Sequence, residues 1–108
     1  MRINHNKRKI WTLDEVVEQE RETCEVHDRG PLYKEKYHWV EHRYYATVSG
    51  LYTEEASSVG SLRGDGDTPE EAVRDLRMKS LGKTVFFGYK PRSERQTYEI
   101  EATIYDEE

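Results

Sequence analysis

The chain has 108 residues, a formal net charge of −5 and a single cysteine, Cys24. That length supports one hydrophobic core and leaves no room for a second domain, the lone thiol excludes an intrachain disulfide framework, and the acidic balance disfavours a general nucleic-acid coat. No apolar run reaches the length of a membrane span and residues 1–10, basic at Lys7-Arg8-Lys9, lack the apolar centre of a signal peptide, so the expected setting is the cytoplasm, with no membrane partner.

Leu, Ile, Val and Phe supply only 20 of the 108 residues, a composition that borders on disorder. Eight Tyr and two Trp offset this, because their rings bury apolar area while a polar tip stays hydrated. The expectation is one folded domain over 1–108 with a thin, aromatic-rich core, a basic arm at 1–10 and an acidic tail at 106–108.

The first element begins at Trp11-Thr12-Leu13-Asp14-Glu15. Thr12 can cap a helix, Glu15 can return the bond to the cap, and Trp11 can staple onto Val16. Leu13, Val16, Val17 and Cys24 share a helical face, which predicts a helix over about 12–25, closed by Arg29-Gly30-Pro31. From Tyr37 to Val48 the apolar and aromatic residues alternate, with Tyr44, Ala46 and Val48 on one side and Arg43 and Thr47 on the other. This predicts a strand, although Tyr33, Tyr37, Val40 and Tyr44 also fit a helical stripe and leave 33–45 open between the two. Gly50 and Thr53-Glu54-Glu55 read as a turn, and Ala56 to Arg63 as a shorter strand.

Thr68 as cap, Pro69 at the first helical position and Glu71 three residues after the cap predict a helix over 69–81. Its inward stripe is Ala72, Val73, Leu76 and Ser80, and Gly82 stops it. Thr84 to Tyr89 and Gln96 to Tyr105 then read as strands around a loop at Lys90 to Glu94, with Tyr98, Ile100, Ala102 and Ile104 facing in. The order is α-β-β-α-β-β. The predicted class is α+β, in two layers, with an antiparallel sheet packed by two helices.

Candidate sites are few. His38-Trp39-Val40-Glu41-His42 matches the H-x-x-E-H string of a zinc peptidase, which needs both His one helical turn apart and Glu41 beside them as base. In a strand, residues four apart are roughly 13 Å apart and cannot share a metal. Cys24 and His27 with His38 and His42 have spacing for a structural zinc, but Cys24 also fills the helical stripe. Asp65, Asp67, Glu70 and Glu71 lie where a helix N-terminus favours carboxylates, and Pro69 breaks the register of a calcium loop. No serine has a nucleophile-elbow setting and no phosphate loop is present, so neither catalysis nor a cofactor is expected.

Lys83, Lys90, Arg92 and Arg95 around the last hairpin are candidate phosphate contacts, which keeps nucleic acid open as a second kind of partner. Against them stands the segment 14–28, with seven acids and one arginine. Tyr45, Tyr52, Tyr89 and Tyr105 are candidate partner-binding residues, since Tyr buries much area at low entropic cost. The last strand has no Pro and no inward charge, so its edge is expected to be open to pairing in a homodimer or with a protein partner.

Residues 44–81, with strands leading into Gly66-Asp67-Thr68-Pro69-Glu70-Glu71-Ala72, resemble the core of HicB-like antitoxin domains. The resemblance implies an α/β layer that binds a protein and carries no catalytic residues. The chain departs from that pattern in its added N-terminal helix, in Thr53-Glu54-Glu55 where a Pro-Gly turn is usual, and in lacking a C-terminal DNA-binding segment. The functional expectation is a small, non-catalytic, antitoxin-like regulator or inhibitor of the mobile-element type that binds a protein.

Overall fold

A computed structural model describes residues 10–54 and 59–102. Along the chain run β1 (Trp11–Thr12), α1 (Leu13–Gln19), β2 (Cys24–Asp28), the single-turn α2 (Tyr33–Lys36), β3 (Tyr44–Val48), β4 (Leu51–Glu54), β5 (Val59–Ser61), β6 (Gly64–Gly66), α3 (Pro69–Ser80), β7 (Lys83–Phe87) and β8 (Tyr98–Ala102). The fold is α+β. One sheet has the order β1-β8-β7-β4-β5 and a smaller one the order β2-β3-β6, with β1 and β8 parallel and the other pairs antiparallel.

The first predicted hairpin is present but longer and bent. Tyr44 lies opposite Gly66 and Ala46 opposite Gly64, whereas Tyr52 lies opposite Ser61 and Glu54 opposite Val59. The register therefore slips near Ser49-Gly50, and the inner half of the hairpin joins the small sheet while the outer half joins the large one. Gly50 makes the bend at φ +79°, and a Cβ there would stand 2.7 Å from the Tyr89 ring. The expected turn at Thr53-Glu54 is replaced by strand β4, because Leu51 and Thr53 are buried and Tyr52 and Glu54 exposed, the alternation of a half-covered strand. Glu55 and the start of the Ser-rich strand, 56–58, lie outside the described residues.

Both helix starts form where the caps place them. In α1, Thr12 and Glu15 exchange bonds in a full capping box. In α3, Thr68 accepts from the Glu71 N–H, but the Glu71 carboxylate reaches the N–H of Asp67, one residue before the cap, and so ties the β6 exit to the helix. Helix α1 stops at Gln19, short of the predicted end near residue 25. Arg21 takes a left-handed φ of 58° and the chain restarts as β2, so Cys24 opens a strand rather than completing a helical stripe. The strand expected from Tyr37 begins only at Tyr44, since residues 38–43 form a loop after α2.

One core joins both sheets and the two longer helices: Leu13 and Val16 from α1, Ala72 and Leu76 from α3, Ala46 and Val48 from β3, Val85 and Phe87 from β7, Tyr98 and Ile100 from β8. The helix lies directly on β6. A Cβ at Gly64 would be 2.2 Å from the Ala72 carbonyl oxygen, and one at Gly66 2.5 Å from the Ala72 nitrogen. Asp14 and Arg77 close the gap between α1 and α3 with two bonds of 2.8 Å. The expected open edge on the last strand is not there: β8 pairs with β7 on one side and with β1 on the other.

Candidate functional site

The small sheet has a covered face and an open one. Ala46, Val48, Gly64 and Gly66 turn to α3 and are buried, so the period of two sends Tyr45, Thr47 and Asp65 to the opposite side. His27 joins them from β2, stacked on Tyr45 at 4.6 Å with its Nε2 3.1 Å from the Thr47 hydroxyl. The Arg29 guanidinium lies 4.4 Å from the centre of the Tyr45 ring, and that of Arg63 5.9 Å. Each such contact contributes about 0.5 to 1 kcal/mol at a partly exposed site. Asp65 gathers the cations: Arg63 at 3.2 Å, Lys79 at 3.3 Å and Arg29 at 4.0 Å.

The loop between β2 and β3 stands at the rim of this face and is pinned at its neck. Arg29 donates to the His42 carbonyl at 2.8 Å and its N–H to the Arg43 carbonyl at 3.0 Å, while Arg43 makes two bonds to the Asp28 carboxylate. The Arg43 bonds and the Gly30 N–H hold the Asp28 carboxyl below its ordinary range. At the loop's crest Trp39 is 70% exposed and Tyr37 40%, their rings edge to face at 5.9 Å. Shallow depressions run between the loop and the sheet, lined by Tyr37, Trp39, His42, Tyr45, Arg29 and Arg63.

The H-x-x-E-H string lies in this loop, neither helix nor strand. His38 sets its edge against Trp39 at 5.1 Å, and His42 Nδ1 is 3.0 Å from the Asp67 carboxylate. The strand spacing expected to separate the two His is therefore replaced by loop geometry. Among the described residues no three His, Cys, Asp or Glu side chains converge on a metal-sized site. Cys24 and His27 are three apart on β2; Cys24 packs against the core and His27 stacks on Tyr45. Burial pushes the Cys24 thiol up, with Arg77 pulling the other way.

The three described tyrosines, Tyr45, Tyr52 and Tyr89, are not gathered into one surface. Tyr45 belongs to the open face described above. Tyr52 lies on the outer face of the large sheet, 6.0 Å from Phe86 and over Gly88. Tyr89 donates to Glu22 at 2.6 Å, a bond that pushes its hydroxyl up to about 12. Tyr105 lies outside the described residues. Nor do the hairpin cations present one basic patch. Lys90 is 2.5 Å from Glu20, and Arg95 covers Phe86 at 4.9 Å while donating to the Gly88 and Lys90 carbonyls. Arg92 is exposed in a 3-10 turn at Arg92–Glu94, and Lys83 opens β7. What sequence reasoning missed is the pairing of Arg29 and Arg63 around Tyr45 and the display of Trp39; the signal available was the alternation of Tyr45 and Thr47 against buried Ala46 and Val48.

Beneath α1 lies a polar cluster that serves the fold. Glu20, only 6% exposed at its side chain, accepts from the Tyr98 hydroxyl and from Lys90. Burial pushes the Glu20 carboxyl up, but the bonds from Lys90 and Tyr98 outweigh it and leave it below its ordinary value. Burial and Glu20 together raise the Tyr98 hydroxyl. No helix among the described residues is long and apolar enough to cross a membrane. No family model, curated protein or solved structure matches the chain.

Proposed function

We propose that this protein is a non-catalytic interaction module, a small cytoplasmic regulator or inhibitor that binds a protein partner through the open face of β2-β3-β6 and the crest of the 29–43 loop. The observation that carries the reading is Trp39, displayed at 70% exposure on a loop whose neck is held by Arg29 and Arg43. A large ring kept in water by a pinned loop costs solvation at every moment the protein is alone, and Trp, Tyr and Arg are the residues that dominate binding energy at protein interfaces. The Arg29, His27 and Tyr45 stack is held in place before any partner arrives, which lowers the ordering cost of association. Cations and carboxylates are interleaved here, with Asp65 between Arg63 and Lys79 and Glu25 3.7 Å from His27. Such a mosaic suits a protein surface better than a polyanion, which asks for one sign. The resemblance of residues 44–81 to HicB-like antitoxin domains points the same way.

The test is affinity purification from native cytoplasm with the wild type, Trp39→Ala and Tyr52→Ala as baits, each with and without nuclease. The expected result is one protein, recovered by the wild type and by Tyr52→Ala, lost with Trp39→Ala and indifferent to nuclease. Recovery of nucleic acid alone, or of a protein held equally by Trp39→Ala, contradicts the reading.

A further inference from the structure

The opposite side of β2 carries a second surface, independent of the one above. Among the described residues, strand β2 ends its sheet and pairs with β3 along one side only. The Arg29 N–H donates to the Arg43 carbonyl, so by the alternation of an antiparallel pair the main-chain groups of His27 and Glu25 point to β3 as well. Those of Cys24, Val26 and Asp28 then point outward, along an edge that has neither Pro nor Lys and leaves Val26 40% exposed.

Two depressions lie beside that edge on the helix side. A groove of about 320 Å³ between α1, β2 and α3 is floored by Leu13, Val17, Cys24, Val73 and Leu76. The next is bounded by Val26, Pro69, Glu70, Val73 and Arg77. They share Val73 and Arg77, and their β2 members, Cys24 and Val26, are two residues apart. That is the repeat at which an extended chain sends side chains to one face, about 6.6 Å. The surroundings are acidic. Glu18 and Glu22 wall the groove, Glu70 bounds the second depression, and the cation at the site, Arg77, is already paired with Asp14.

We infer that the free edge of β2 receives an extended segment of a partner protein as a fourth strand, with apolar side chains at two alternate positions entering the two depressions and lysine or arginine further along that same face meeting Glu18, Glu22 and Glu70. Main-chain bonds to Cys24 and Val26 supply the pairing, and the paired depressions fix the register. The acids select a basic segment over an acidic one.

The experiment titrates the full chain with a capped peptide of about nine residues that carries valine at two central alternate positions, lysine at the alternate positions on either side of them and threonine in between, and with its glutamate-for-lysine counterpart, while amide exchange is followed residue by residue. The expected result is protection of the Cys24 and Val26 amides rising about tenfold with the lysine peptide and unchanged with the glutamate peptide. Glu18→Lys, an exposed substitution that leaves the core alone, should weaken the effect about fivefold or more. No protection at millimolar peptide, equal binding of both peptides, or perturbation confined to Trp39 and Tyr45 would overturn the inference. So would protection that grows with protein concentration alone, since a second copy would then own the edge. Trp39→Ala should leave the peptide effect intact, which keeps this result separable from the fate of the open face.

Discussion

Gly64 lies so close beneath Leu76 that a Cβ on it would stand 2.3 Å from the Leu76 backbone nitrogen. Neither backbone can yield, because β6 is paired with β3 and Leu76 is fully buried in the core. Gly64→Ala should therefore cost about 3 kcal/mol or more, at the upper end of what overpacking costs. Gly82 offers the control: its Cβ would meet nothing within 4 Å, and Ala there carries only the left-handed strain of φ +78°, about 1 to 2 kcal/mol. Denaturant midpoints that rank Gly82→Ala as the more damaging would refute direct backbone packing of α3 on β6.

Helix α3 gives a second ranking. Thr68→Ala removes the bond to the Glu71 N–H and should cost about 1 kcal/mol, whereas Leu76→Ala opens a cavity in the shared core and should cost about 2 to 5 kcal/mol. Equilibrium unfolding in urea checks both, and a cap effect larger than the core effect would count against the assigned helix face.

The legible parts of the sequence were those written in local chemistry. Thr12, Thr68 and Pro69 place both helix starts, and the alternation at Tyr98 and Ile100 places the last strand, because caps and pleats depend on neighbours in the chain. The end of α1 was not legible. It rests on Glu20 reaching Tyr98 and Lys90, partners far along the sequence, and on Arg21 accepting a left-handed turn. For the same reason β2 hid among acids, and the coverage of β8 by a two-residue β1 left no periodic trace. Of the candidate site only Tyr45 was legible, since Arg29, Arg63 and Trp39 come together through loop closure.

Glu20 sets a pH dependence. Burial pushes its carboxyl up, yet Lys90 and Tyr98 bring it below the ordinary value. A carboxyl lowered by folding contributes stability that is complete above its unfolded pKa and is lost as pH falls through the folded one. Stability should thus decline below about pH 4.5. Glu20→Gln should be less stable at pH 7 by roughly 1.5 to 3 kcal/mol and should lose less than the wild type on acidification. Parallel loss in both proteins between neutral and acid pH would remove Glu20 from the account.

Cys24 should react slowly while the chain is folded, because burial raises its thiol and the side chain packs against the core. Alkylation near pH 8 should run about tenfold or more slower than in the unfolded chain. Equal rates would show that neither the raised thiol nor its packing against the core restrains the sulfur.

If Trp39 and its pinned loop carry partner binding, calorimetric titration of the recovered partner into matched variants reads it out. Trp39→Ala should weaken the Kd about 30-fold, the scale of a 2 kcal/mol hot spot, while Tyr52→Ala on the outer face of the large sheet stays within about twofold. Unchanged affinity in Trp39→Ala, in a variant that unfolds at the wild-type midpoint, would mean that the partner binds elsewhere than this loop.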